Sequence, residues 1–168
     1  MRKSIIISIV LIIILLVVLN RKKKSDNIGL GAIIKPVGNG IFGPIYDQFK
    51  DEPKKAIKHL LKVQEGECIN ALYHDEIGYI DIVWGENNKD NIGYGLKHIY
   101  EKHGKEIERL GFKIEDFLPL AINFGVVVPS VDPKKVFIQN RYYKIVLSKE
   151  WKSEKKNLVI TVYDLIRK

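Results

Sequence analysis

The sequence predicts an α+β fold, with N-terminal helices packed on a small antiparallel sheet and one transmembrane helix ahead of them. Three patterns predict it. An uncharged aliphatic run fills Ser4–Asn20. Apolar residues then recur at helical spacing near residues 52–64 and again from Gly95 to Leu110. From Gly125 onward the spacing becomes the alternation of strands.

Residues 1–24 read as a membrane anchor with basic flanks. The run begins after Arg2-Lys3 and stops at Arg21-Lys22-Lys23-Lys24. Its 17 residues would span ~25 Å as a helix, short of the ~30 Å hydrocarbon core, a gap that snorkelling Lys and Arg can close. A secretory signal has the same basic start, but no small-x-small cleavage site follows here. The expectation is a single-pass protein of the cell inner membrane, with the lipid bilayer as partner through residues 4–20. Arg21–Lys24 outweigh Arg2-Lys3, which favours a cytoplasmic body.

The anchor also explains most of the net charge of +8. Residues 1–24 hold six Lys/Arg and no acid, so the body carries 22 basic and 20 acidic side chains. Within it, Lys134–Lys168 has ten Lys/Arg against three acids, leaving Ser25–Pro133 net acidic. A basic end suits a polyanion; it equally suits a strand edge kept soluble by lysines. Cys68 is the single cysteine, so an intramolecular disulfide is excluded and a small buried strand residue is expected.

Residues 25–44 are glycine-rich, with two prolines and no period, and read as a linker. They lack the Gly-x4-Gly-Lys-Ser/Thr of a phosphate loop. Residues 45–168 form the domain. Glu52-Pro53 opens a helix to about Gln64, with Ala56, Leu60 and Val63 on one face. Glu67–His74 and Tyr79–Trp84 predict a hairpin, and Gly85–Gly93 a polar loop. Helices follow at Gly95–Leu110 and Ile114–Asn123, then strands at Gly125–Pro129, Val136–Gln139, Tyr142–Leu147 and Asn157–Tyr163.

The Gly95–Leu110 helix carries two histidines. At ~100° per residue His103 shares the apolar stripe of Leu96, Ile99, Ile107 and Leu110, while His98 points the other way. That spacing is not the i, i+4 of a helical zinc pair, so no metal and no cofactor is expected. A histidine on an apolar stripe is also an ordinary core residue. The strands add chemistry. Alternation places Tyr142, Lys144, Val146 and Ser148 on one face, with Tyr143, Ile145 and Leu147 on the other. In the last strand Thr161 and Tyr163 oppose Leu158, Ile160 and Val162. The polar faces could merge into a cleft or simply face solvent. Trp84 could stack on a base or pack in the core.

These pieces resemble a known family. Gly78-Tyr-Ile-Asp-Ile-Val-Trp-Gly85, the Gly95–His103 stretch and the ending Tyr142–Trp151 with Asn157–Tyr163 are similar to the barnase/EndoU/colicin/RelE-like endoribonuclease domains of phage and mobile-element proteins. Phe49–Leu61 with Glu65-Gly-Glu67 fits as well, so the resemblance spans about Gly43 to Asp164. It implies a toxin-like, metal-independent endoribonuclease acting by 2′-OH transesterification. Carried over, the catalytic residues would be His103, His98, Lys144, Thr161 and Ser148, and the RNA-binding residues Tyr142, Arg141, Tyr163 and Trp84. RNA, tRNA included, is the implied partner, together with an inhibitor or immunity protein. The alternative is a non-catalytic, membrane-tethered RNA- or protein-binding module of a mobile element.

Overall fold

Among the described residues, ten strands, four α-helices and one π-helical turn follow one another in an order that joins the two ends of the domain in one eight-stranded sheet. The computed structural model describes residues 34–88, 90 and 92–165. The elements are β1 (Gly38–Gly40), β2 (Gly43–Tyr46), α1 (Pro53–Val63), β3 (Glu67–His74) and β4 (Gly78–Val83). A short hairpin, β5 (Glu86–Asn87) and β6 (Gly93–Tyr94), leads into α2 (Gly95–His98). A π-helical turn, Ile99–His103, connects α2 to α3 (Gly104–Arg109). Then come α4 (Ile114–Phe124), β7 (Val126–Pro129), β8 (Lys135–Gln139), β9 (Tyr143–Trp151) and β10 (Glu154–Asp164).

The main sheet runs β1-β2-β3-β4-β10-β9-β8-β7. Its right half is an antiparallel meander, β7 to β10. Its left half is the β3–β4 hairpin with β1–β2 beside it. The two halves meet where β10 lies parallel to β4, Leu158 opposite Asp81.

Pro53 stands in the first turn of α1, where its missing N–H costs nothing. Ala56, Ile57 and Leu60 of α1 are buried, and Gln64 ends the helix in the left-handed conformation. α1 and α4 pack on each other and on β3, and α4 also covers β8 and β9. Ile80, Ile82, Ile138, Ile145, Leu147, Val159 and Val162 project into this core. Cys68 is buried among them, where burial pushes its thiol up to about 12 and leaves it unreactive at neutral pH.

Two expectations are corrected. The sheet is not small and purely antiparallel with the helices ahead of it. It has eight strands, two parallel pairings (β2/β3 and β4/β10), and helical segments set between β2 and β3 and between β4 and β7. The cause is long-range pairing. β10 returns across the whole domain to close against β4, and residues of the glycine-rich stretch add β1 and β2 at the edge. The single-pass inner-membrane localisation is not supported either. Among the described residues no helix is long and apolar enough to cross a membrane; the longest have 11 residues, about 16 Å. The anchor and bilayer expectation for residues 4–20 lies outside the described residues.

The strand faces came out unevenly. β9 alternates as expected, with Ile145 and Leu147 inward. In β10 the register shifts between Val159 and Thr161, a bulge at Ile160. Val159 and Val162 therefore share the core face, and Leu158, buried outside that core, shares the opposite face with Thr161 and Tyr163. The expected grouping of Leu158, Ile160 and Val162 is replaced.

Candidate active site

The site lies where β4 stops and β10 continues. β4 ends at Val83, two residues past the Leu158–Asp81 pairing, whereas β10 runs on to Asp164. α2 and the π-helical turn take β4's place beside β10. The chain enters this helix through Gly85 and Gly95, both at positive φ. A Cβ on Gly85 would lie 2.0 Å from the Tyr94 carbonyl oxygen. The backbones of β4's end and β6's end touch there, which only glycine permits. Gly85→Ala is expected to cost about 1–3 kcal/mol by displacing the hairpin, which a thermal melt checks.

The π-helical turn decides how the histidines meet. In an uninterrupted α-helix His98 and His103 would stand about 140° apart. An i→i+5 turn stacks residues five apart almost one above the other. The two imidazole centroids are 5.8 Å apart, edge to face. Both side chains are buried.

Each ring is held through Nδ1. Asn87 donates its amide N–H to the Glu101 carboxylate at 2.8 Å, so its carbonyl oxygen faces His98 Nδ1 at 2.9 Å. That oxygen can only accept, so His98 carries its proton on Nδ1 and presents Nε2 as a lone pair. His103 donates from Nδ1 to the Glu106 carboxylate at 2.9 Å. Among the described residues His103 Nε2 is buried without a hydrogen-bond partner, as is His59 Nε2, which packs between Tyr46 and Phe49. Burial first, then the nearby Lys102 and His103, hold His98 below the ordinary imidazole value, against a smaller upward pull from Glu101. His98 is therefore neutral at pH 7.

Tyr163 and Lys144 extend the cluster onto the sheet. The His103 and Tyr163 ring centroids are 6.0 Å apart. Lys144 Nζ lies 5.7 Å from the Tyr163 ring and 4.7 Å from the Phe137 ring. Tyr163 and Lys144 are directly opposed in the β9–β10 register. Thr161 shares their face but is buried, its hydroxyl directed at the Val162 carbonyl. Ser148 lies further along β9 and donates to the Glu150 carbonyl. Arg141 stacks over Tyr142 at 4.5 Å in the β8–β9 turn. Trp84 packs against the main core.

The structure thus brings together His98, His103, Tyr163 and Lys144, and leaves Ser148, Arg141, Tyr142 and Trp84 apart from that cluster. Sequence reasoning missed Asn87, Glu101 and Glu106. Glu106 stands three residues after His103, a helical contact that spacing could have flagged. Asn87 came from a polar loop with no pattern to single it out. Among the described residues no group of three or more His, Cys, Asp or Glu is placed to hold a metal ion.

Residues 71–168 match the family model of the phage-Barnase-EndoU-ColicinE5/D-RelE-like nuclease 1. The match covers more than half of the sequence. This chain belongs to that family. The phage nuclease-like region begins within β3 and includes His98, His103, Lys144 and Tyr163 with all of their partners described above. No curated protein and no solved structure matches the chain.

Proposed function

We propose that this nuclease-family domain is an endoribonuclease that cleaves RNA by transesterification without a metal ion. The observation that supports it is the histidine pair, with each Nδ1 tied down and the His103 Nε2 buried without a partner. An unpaired buried polar atom costs free energy, and such costs are tolerated where a substrate supplies the partner.

His98, neutral at pH 7, takes the proton of a ribose 2′-OH on Nε2. The 2′-oxygen bonds to the adjacent phosphorus, and the bond from phosphorus to the 5′-oxygen breaks. Protonated His103, balanced by Glu106, passes its Nε2 proton to the departing 5′-oxygen. The products are a 2′,3′-cyclic phosphate and a 5′-hydroxyl. Lys144 offsets the charge that builds on the pentacoordinate phosphate, and the Tyr163 ring sets the wall between Lys144 and His103. Thr161, buried on the same strand face as Tyr163, keeps its hydroxyl on the Val162 carbonyl. Cellular RNA, tRNA included, is the substrate class. Such cleavage would make the protein toxin-like and would call for an inhibitor or immunity protein.

Incubating the full-length chain with total RNA in EDTA and mapping the ends tests this. Cyclic phosphate and 5′-hydroxyl ends are expected; 5′-phosphate ends, or cleavage abolished by EDTA, would refute it. Lys144→Ala should reduce kcat about 10²-fold while leaving the melting temperature near that of the wild type, because Lys144 lies on the face away from the main core. Tight RNA binding without cleavage would favour the non-catalytic binding module.

A further inference from the structure

A cavity of about 550 Å³ opens between the β5–β6 hairpin and the β9–β10 hairpin, lined by Asn87, Tyr94, Lys97, Ser148, Trp151 and Ile160 among others. Its floor is the sheet face that also carries Lys144 and Tyr163. Ser148 is four residues along β9 from Lys144, about 13 Å away, a span that an extended dinucleotide covers. Neither histidine lines the cavity, but Asn87, which orients His98, does, and so joins it to the histidines at one remove.

The lining sets aromatic rings beside two lysines, Lys97 and Lys135, with Glu86 the acid among them. The Tyr94 and Trp151 ring centroids are 4.5 Å apart at 46°, with Phe42 against both at 5.9 and 5.4 Å. Tyr94 and Trp151 are only partly buried, and both line the cavity. Lys97 follows Tyr94 by one turn of chain and makes no ion pair with another described residue. Aromatic faces beside an uncommitted cation are the makings of a single-stranded nucleic-acid subsite, where a base stacks and a phosphate is neutralised.

We propose that this cavity is the subsite for a nucleobase flanking the scissile phosphate, with Tyr94 and Trp151 as its stacking surfaces and Lys97 on the adjoining phosphate. The proposal rests on the endoribonuclease reading for the position of the scissile bond. The bulge at Ile160 serves the subsite: it turns Ile160 out of the strand alternation and toward the cavity. The hairpin that carries Asn87 and Tyr94 then couples base binding to the orientation of His98. A base seated against Tyr94 presses on the element that holds His98 Nδ1.

The test uses the full-length chain and single-stranded RNA oligonucleotides in two forms, one cleavable and one fully 2′-O-methylated. The methylated form cannot undergo attack by its 2′-oxygen, so it reports binding alone. Tyr94→Ala, Trp151→Ala and Lys97→Ala are each expected to weaken binding of the methylated RNA about tenfold and to raise KM for the cleavable one. Tyr94→Phe and Trp151→Phe, which keep a ring, should restore most of the affinity, and this rescue separates stacking from loss of fold. If the wild type cleaves RNA and the three alanine variants match it in affinity and KM, the subsite is refuted and the endoribonuclease reading stands. If the wild type binds methylated RNA through these residues but cuts nothing, the subsite stands and that reading fails. Wild type that neither binds nor cleaves refutes both.

Discussion

His98→Ala and His103→Ala are each expected to lower RNA cleavage by about 10²–10⁴-fold, the usual contribution of a general acid or base, with RNA affinity changed by no more than a few fold. The two rings face each other at 5.8 Å, and each is held by a hydrogen bond at Nδ1. Both are therefore aimed, and neither can be replaced by solvent in a buried position. The two losses should not add. Once either proton transfer fails, the other gains nothing, so the double variant should resemble the worse single one. The pH profile separates their roles. His98 must be neutral to act as a base, and its proton affinity is held below the ordinary imidazole value by burial, Lys102 and His103. Activity should therefore persist as pH falls below about 6.5 and drop only at the lowered value. Stability has the same sign. The neutral form is favoured in the folded state, so this contribution is complete above about 6.5 and is lost as pH falls through the lowered folded value. Asn87→Ala frees Glu101 and loosens His98; it should reduce kcat and shift the low-pH limb, whereas a purely structural residue would leave that limb in place. If His98→Ala and His103→Ala both cut RNA at the wild-type rate, the enzyme reading is wrong.

Lys156→Ala should destabilise the domain by about 3–5 kcal/mol, the typical cost of leaving a buried charge without its partner. Lys156 comes from β10 and reaches two carboxylates on neighbouring strands, Glu67 on β3 and Asp81 on β4, the latter at 3.3 Å. Glu67 is 2% exposed. Asp81 is itself tied to the Asn70 backbone N–H at 2.7 Å. The ammonium thus clamps the C-terminal meander to the β3–β4 hairpin at the junction where β10 joins β4. Burial works against the charge on Lys156, but the Glu67 hydrogen bond and the Asp81 charge outweigh it and raise its proton affinity above that of an ordinary lysine. That contribution is fully present below the ordinary lysine value and is lost as pH rises through the raised folded value. Removing the lysine leaves two carboxylates facing each other with nothing between them. Denaturant melts of Lys156→Ala, and of Lys156→Met combined with Glu67→Gln and Asp81→Asn, check the cause. The triple variant removes all three charges and should recover most of the lost stability. An unchanged midpoint for Lys156→Ala would show that the clamp contributes nothing.

The residues differ in how much of this was legible. α1, the β3–β4 hairpin, α4 and the faces of β9 could be read from the chain, because each is a run with one period and one buried side. The nomination of His98, His103, Lys144 and Tyr163 came from the same patterns and from the family resemblance. β10 could not be read by alternation, since one extra residue at Ile160 exchanges the faces beyond it. β1 and β2 carry too few apolar side chains to announce themselves and exist through pairing with β3.

By itself the sequence determined the long helical and extended segments, though not β1, β2, β5 or β6, together with the residue types available for chemistry and the family to which residues 71–168 belong. Those follow from local periodicity, capping and short motifs, which act over a few residues. Only the tertiary structure decided that β10 closes in parallel on β4, and that a π-helical turn swings His98 onto the side of His103. It also decided that Asn87 crosses from a separate hairpin to hold His98. Each of these is a contact between distant positions, or a slip of a single residue in phase. A local pattern carries no record of either, because their energy is gained only when the sheet and the helix are already side by side.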